Sequence, residues 1–450
     1  MTQSGTGKTI NVAANGSDSS GDGNASAPYA TLARALNGAV AGDTVLIAGG
    51  DYSWPNGVMV SVSGSASNWI VIRAASSAAV TIHGSGSSGS LQGQCIGITG
   101  SYIDIEGLTC DSFPNVGMDV LTGHHIRLHG NTVSNTGNSG IGLYYVASLG
   151  PSPYQVEISN NTVTMTNMYW TNSTAGSAGE GITAWGDQLT VAYNTVQFTQ
   201  GEGIGSGGTQ IWVVGNTVRE SCAPALYLDT ASQVVLEDNF VNNDSVGQAA
   251  FLATCFRPSW NGGQPEYGTG IQVAAEVASY TDKSYARLTQ GTVRNNIVSN
   301  MRIGFVYGNY NMGDGLHSWR IENNTFVGGA ASASLINVPT GTSSANDDVV
   351  FANNIFYWPS TASAIAVSNV GITYTHDLWF GASASNAAGS GDVGGNPNLS
   401  NPSGINPANY VPLAGSLAHG AGTPTYAPAT DYFGNPRSPT STDIGAALVP

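Results

Sequence analysis

The chain has 450 residues, with 12 Lys and Arg against 28 Asp and Glu, for a net charge of −16. Lys8 and Lys283 are its only lysines; so little positive charge argues against a nucleic-acid binder, and no run of about 20 apolar residues is present to cross a membrane. Charged residues are 9%, hydrophobic residues 41% and glycines number 60, a composition poor for helices and suited to short strands and many turns.

In chain order, Met1–Lys8 is polar and lacks the apolar core of a signal peptide, so an exported protein would have had its signal removed. Pro28 to Val40 places Ala30, Leu32, Ala35, Leu36, Ala39 and Val40 at helical spacing, with Thr31, Arg34 and Asn37 between. This predicts one short amphipathic helix laid over the first coil of a stacked structure.

The stack is announced by a repeat. Asn-Thr-Val or a close variant closes a short apolar stretch at Asn131, Asn161, Asn194, Asn216, Asn239, Asn296, Asn324 and Asn354, with Gly107-Leu108-Thr109 as an earlier member. The shortest spacings are 22, from 194 to 216, and 23, from 216 to 239; longer ones mark insertions. Each unit reads as three short strands, for example Ile182–Trp185, Leu189–Ala192 and Thr195–Phe198. Such strands bury an apolar face only by stacking coil on coil, which puts Ile182, Ile204 and Leu226 in one column. Asn at a fixed turn tolerates left-handed backbone angles, and its amide reaches the Asn of the next coil. After about residue 385 the pattern gives way to Gly, Ser, Pro and Asn, a loop-rich tail expected to cover the last coil. Four cysteines, Cys95, Cys110, Cys222 and Cys255, allow three pairings, with buried free thiols an equal alternative. A Cys222–Cys255 bridge would tether the insertion at 245–267 and leave Cys95 with Cys110.

The opening Val12–Asp18, Ala27–Leu32, Ala41–Val45 and Gly50–Tyr52, the Asn-marked coils from about 95 to 360, and the closing Asn409–Leu413, Asp431–Arg437 and Asp443–Ala446 together resemble right-handed parallel β-helix proteins of the pectate-lyase-like group. The resemblance implies an all-β solenoid with three strands per coil: an N-terminal segment and capping helix at 1–43, the β-helix at 44–380 and a capping tail at 381–450. It also implies a carbohydrate-active, secreted or periplasmic protein. The signatures of polygalacturonases, alginate epimerases and calcium-binding Gly-Asp repeats are absent from the sequence, so fold alone does not choose a reaction.

Two coils begin alike, Gly179-Glu180-Gly181-Ile182 and Gly201-Glu202-Gly203-Ile204, and a third begins at Ala223-Pro224-Ala225-Leu226, each 22 residues on. Glu180 and Glu202 then stack, and like charges this close raise a carboxyl pKa; solvent-facing turn residues are the equal alternative. If Ile182, Ile204 and Leu226 point inward, Thr183 and Trp185, Gly205 and Gly207, and Tyr227 and Asp229 point outward. Two glycines between aromatic walls, with an acid at the edge, describe a hollow for sugar rings. The next coil restarts at Gly268, puts Ile271 in the place of Leu226 and ends on Glu276. The insertion before it adds Arg257 and Trp260 as a wall.

The expected function is glycosidic-bond hydrolysis by paired carboxylates. Asp229, Glu202, Glu180 and Glu276 are the catalytic candidates, and Trp185, Tyr227, Gly205, Gly207, Arg257 and Trp260 would contact the polysaccharide. No metal and no cofactor is expected. The alternatives are a polysaccharide lyase or uronan epimerase, for which a divalent cation such as calcium would suit an acidic protein, and a non-catalytic glycan-binding or tailspike-like fibre, which would be a homotrimer. On this reading Asp229→Asn and Glu202→Gln leave folding intact, and Gly205→Ser weakens glycan binding without lowering the melting temperature. His124 and His125, at a turn before Ile126–Leu128, are the next place to look.

Overall fold

The computed structural model describes residues 7–75, 79–85, 93–144, 148–166, 179–243, 268–275, 288–308, 315–329, 334–339, 346–358, 366–367, 370–381 and 384–450. The chain divides into two compact units, Met1–Gly201 and Glu202–Pro450, and each is built of stacked coils of parallel strands.

In the first unit four successive coils read Ile96–Ile98, Ile103–Glu106 and Leu108–Asp111; Met118–Val120, His124–His129 and Thr132–Ser134; Ile141–Leu143, Tyr154–Ser159 and Thr162–Thr166; Ile182–Trp185, Asp187–Ala192 and Thr195–Thr199. Like strands pair in parallel: Met118 with Ile96 and Ile141, Ile141 with Ile182, Ile126 with Ile103, Val133 with Cys110 and Val163. The three strands expected from Gly181 onward are present. Alternation along each strand turns one residue set inward, and the columns Ile96, Met118, Ile141, Ile182 and Ile103, Ile126, Val156, Leu189 are buried.

The second unit repeats the plan. Ile204, Leu226, Ile271, Phe305 and Ile336 form one buried column in continuous register, so Ile271 does take the place after Leu226. Here the first two strands of a coil fuse into Ile204–Val214 and Leu226–Glu237. Their register shifts between Ser206 and Gly208: Ser206 opposes Leu228 and Gly208 opposes Ala231, leaving Gly207 to face both Asp229 and Thr230. Gly208 (φ 115°) and Thr230 (φ 50°) absorb this bulge.

The Asn row is a continuous buried ladder within each unit. At 2.7–3.1 Å the side-chain oxygen of one ladder residue accepts from both the backbone N–H and the side-chain amide of the Asn one coil earlier: Asn161 from Asn131 and Asn194 from Asn161 in the first unit, and Asn239 from Asn216, Asn296 from Asn239, Asn324 from Asn296, Asn354 from Asn324 and finally Asp377 from Asn354 in the second. Leu108, the member without Asn, donates its N–H to Asn131. The left-handed backbone belongs to the residue before each ladder position rather than to the ladder Asn itself. Asn160, Tyr193, Asp238, Asn295, Asn323 and Asn353 have φ between 51° and 58°, and Gly130 and Gly215 take 63° and 68°. Two residues thus share the work expected of one: the first bends the corner, and the second satisfies the buried amides.

Both ends depart from expectation. The helix covers only Leu32–Leu36, capped by Thr31 Oγ1 accepting from Arg34 N and closing at Asn37. It packs against Thr9–Val12, Thr44–Ile47 and Val58–Val60. Thr9–Val12 itself pairs with Thr44–Ile47, so the parallel sheet already begins inside the segment expected as a cap. In the tail, Val393–Gly394 pairs with Leu378–Phe380 and covers the last coil. The rest runs back along the short-strand side of the second unit, where Leu399, Tyr410, Ala418, Ile444 and Ala446 cluster with Phe240, Ile297, Val327 and Ile355. Arg437, buried, is held by Asn295 Oδ1 and the carbonyls of Asp443, Gly445 and Ala446. The tail covers a side as well as an end because that side presents apolar residues outward as well as inward. Cys95 and Cys110 form a disulfide. Cys222 is also disulfide-bonded; Cys255 lies outside the described residues.

Candidate functional site

The candidate residues divide between the two units. In the second, Glu202 stands at the turn before Ile204–Val214. Gly205 is in register with Tyr227, Tyr227 with Gln272, and Asp229 with Ala274. The expected alternation holds for Leu226 and Leu228 inside and Tyr227 outside; Gly205 and Tyr227 are neighbours on consecutive coils, while Glu202 lies at the turn before that strand and Asp229 further along it, at the bulge. In this unit these positions are not open to solvent. Glu202 is 9% exposed, Tyr227 6% and Asp229 2%, and Gly205 and Gly207 are buried. Coils only about 4.8 Å apart press same-face side chains onto one another, and Tyr227, Gln272 and Val306 are all buried along this row. Gly207 also does not correspond to Asp229 alone, because the bulge places it opposite two residues. Asp229 accepts a hydrogen bond from Thr230 Oγ1 at 2.9 Å, so the bulge that bends the strand also supplies a partner to the carboxylate.

In the first unit, Glu180 is buried at the turn before Ile182–Trp185, its backbone N–H donating to Ser139 Oγ at 2.9 Å. Trp185 is half-buried. Ser139 Oγ lies 2.7 Å from the Tyr144 hydroxyl and 2.8 Å from Thr183 Oγ1, and the last two are 3.3 Å apart. Sequence reasoning passed over the group that completes this cluster, Asp119. It is in register with Gly97 on one side and Gly142 on the other, and Gly142 with Thr183. A Cβ on Gly142 would meet the Tyr144 ring at 2.7 Å, so the ring occupies the space that the glycine leaves. Asp119 is 4% exposed and accepts the Tyr144 backbone N–H, while its Oδ1 meets no hydrogen-bond donor among the described residues. Burial pushes its carboxyl up to about 7. Burial first, and then the Glu180 carboxylate, push the Tyr144 phenol above its usual range. The readable signal was related to the one used for the second unit but inverted: an outward acid between outward glycines of neighbouring coils, where the other reading had glycines between aromatic side chains.

Glu276, Arg257 and Trp260 lie outside the described residues. Among the described residues, no group of three or more His, Cys, Asp or Glu is gathered to hold a metal ion. The arrangement offers carboxyl chemistry: desolvated carboxyl groups on strands and on the turns before them, one of them shifted into the range where it holds and releases a proton near neutrality.

Residues 10–210 match the family model of the Pel9A-like, right-handed β-helix region. No curated protein sequence matches the chain. Among solved structures, that of pectate lyase Pel9A is 15% identical, with 99% of this chain and 97% of that one covered and a TM-score of 0.60. The structure of XylC in complex with xylose is 13% identical, with 98% of each chain covered and a TM-score of 0.65. At these identities the likeness is one of fold, and the hand of the coils is right.

Proposed function

We propose that this right-handed parallel β-helix of the pectate-lyase-like group is an exported carbohydrate-active enzyme that hydrolyses glycosidic bonds with carboxyl groups. The observation that carries the reading is the burial of carboxyl groups at outward strand positions and the turns beside them: Asp229 and Glu202 in the second unit, Asp119 and Glu180 in the first. A buried carboxylate is costly unless it is paired, hydrogen-bonded or protonated, and desolvated carboxyl groups with shifted proton affinity cluster at functional sites. One carboxyl, protonated, donates to the leaving oxygen, and a second attacks the anomeric carbon or activates water. Asp229 and Glu202, one coil apart, are the proposed pair; Asp119, with its raised pKa, is the competing acid. The Cys95–Cys110 disulfide supports export to an oxidising compartment. The net charge of −16 favours a neutral substrate over a polyuronate, and the xylose held by XylC puts xylan on the test panel beside pectate.

The test is incubation with that panel. New reducing ends without ultraviolet-absorbing unsaturated ends are expected. Unsaturated ends would make the protein a lyase, and binding without cleavage a glycan-binding fibre. Asp229→Asn and Glu202→Gln, nearly isosteric, should each lower turnover by at least about a hundredfold. Near-normal rates in both would move the reaction to Asp119 and Glu180.

A further inference from the structure

His124 and His125 belong to an arrangement that the buried carboxyl groups do not include. In four successive coils of the first unit, the corner leading into the second strand carries an aromatic or imidazole ring: Trp69 before Ile70–Ala74, Tyr102 before Ile103–Glu106, the histidine pair opening His124–His129, and Tyr154 opening Tyr154–Ser159. The coils are consecutive by hydrogen bonding, Ile70 N to Tyr102 O, Tyr102 N to His124 O and Tyr154 N to Gly123 O. Tyr102 stacks on His125 with centroids 4.6 Å apart and planes 28° apart, and His124 stacks on Tyr154 at 4.8 Å and 26°. Trp69 meets Tyr102 edge-on at 5.9 Å. Three coil steps make the stripe roughly 14 Å long.

We propose that this stripe is a second carbohydrate-binding surface, one that holds a neutral glycan chain along the coil axis. Its rings are not core residues. Trp69, Tyr102 and both histidines are half-buried, and Tyr154 is 36% exposed. Rings that present apolar surface together with N–H and O–H edges match the C–H faces and hydroxyl rims of pyranoses. The charges beside it are one ion pair and the Asp187 carboxylate in register with Tyr154, with no excess of cations. The Arg127 guanidinium lies 5.0 Å from the Trp69 ring centroid and pairs with Glu157 at 3.2 Å. The 2.7 Å contact between His124 Nδ1 and His125 Nδ1 requires one nitrogen to donate and the other to accept, so at least one imidazole is neutral. A stripe with no excess positive charge to offer an anion favours an uncharged sugar. The ligand class rests on the glycan-directed reading of the protein, but the binding does not depend on turnover.

The test is direct binding of xylohexaose, cellohexaose and mannohexaose to the whole protein, followed by Trp fluorescence and calorimetry. At least one should bind. Tyr154→Ala should weaken that binding about tenfold, and Tyr102→Ala with Tyr154→Ala further, with cleavage of a short substrate unchanged. Tyr154→Phe, which keeps the ring, should retain most of the affinity and serves as the folding-neutral control. The proposal is overturned if none of the three sugars binds, or if Tyr154→Ala binds like the parent. Loss of cleavage in the Asp229→Asn and Glu202→Gln variants with binding intact would separate this surface from the reaction.

Discussion

Asp119 shows how one residue's surroundings set its chemistry. Met118 and Val120 face the core, and Asp119 faces the other way, yet it is as buried as they are. Its carboxyl is raised from 3.8 to about 7, so between these values the folded protein holds a proton that the unfolded chain releases. The stabilisation is therefore complete below about pH 4 and is lost as pH rises through 7, up to about 4 kcal/mol in all. Asp119→Asn removes that dependence. The melting-temperature difference between variant and parent should be more favourable to the variant at pH 8 than at pH 5, and an equal difference at both would mean that the carboxyl is not desolvated. Gly205 is the second case. Its backbone is not left-handed, the positive φ values of this strand being at Gly208 and Gln210, so a side chain is not refused by backbone strain. The position is buried beside Tyr227, however, so Gly205→Ser should lower stability by about 1–3 kcal/mol as overpacking does, read as a fall in the denaturant midpoint. This reverses the outcome that the open-hollow reading predicts.

Among the elements, the Asn ladder carries the clearest energetic consequence. Asn296 accepts from the backbone N–H and the side chain of Asn239 and donates to Leu236 O and Asn324 Oδ1. Asn296→Ala would leave several buried groups without partners at once, at about 2–5 kcal/mol. Urea unfolding should show this loss, and Asn138→Ala, at a half-buried turn off the ladder, should show little. The helix shows the limit of periodic reading. Apolar spacing marked 28–40, but Thr31 starts the helix and Asn37-Gly38 stop it, so cap chemistry decides its length. The bulge at Gly207 shows in repeat spacing only as a change of offset from 22 at Ile204 and Leu226 to 23 at Asn216 and Asn239, which says that one residue is extra but not where it is taken up.

At the scale of the molecule, the disulfides bear on compartment. Cys95–Cys110 closes a short loop in the first unit, Cys222 is also bonded, and no free cysteine stands among the described residues. Thiol titration of the unfolded, unreduced protein should find no reactive thiols, and finding four would remove the disulfide argument for export. The tail's course along the second unit buries Tyr410, Ile444 and Arg437, so the last stretch of chain is part of the fold.

How much of the molecule was legible depends on the range of the interactions. In a solenoid each coil touches its neighbours, so an offset in sequence is a register in space. The column through Ile204, Leu226 and Ile271 and the Asn ladder could be read from the repeat. The alternation that turned Tyr227 outward was equally local and held. Whether an outward residue meets water is not local. It depends on what lies over the face, and the burial of Asp229, Glu202 and Tyr227 came only with the assembled chain. Asp119 escaped notice for the same reason. Its glycine neighbours, Gly97 and Gly142, stand 22 and 23 residues away, but the Tyr144 ring and the Ser139–Thr183 contacts that close over it are set by side-chain packing across coils of unequal length. Repeat spacing determined the scaffold because it is a nearest-neighbour property. Desolvation, and with it the protonation of the candidate acid, is a property of everything packed around one group, and only the tertiary structure decides that.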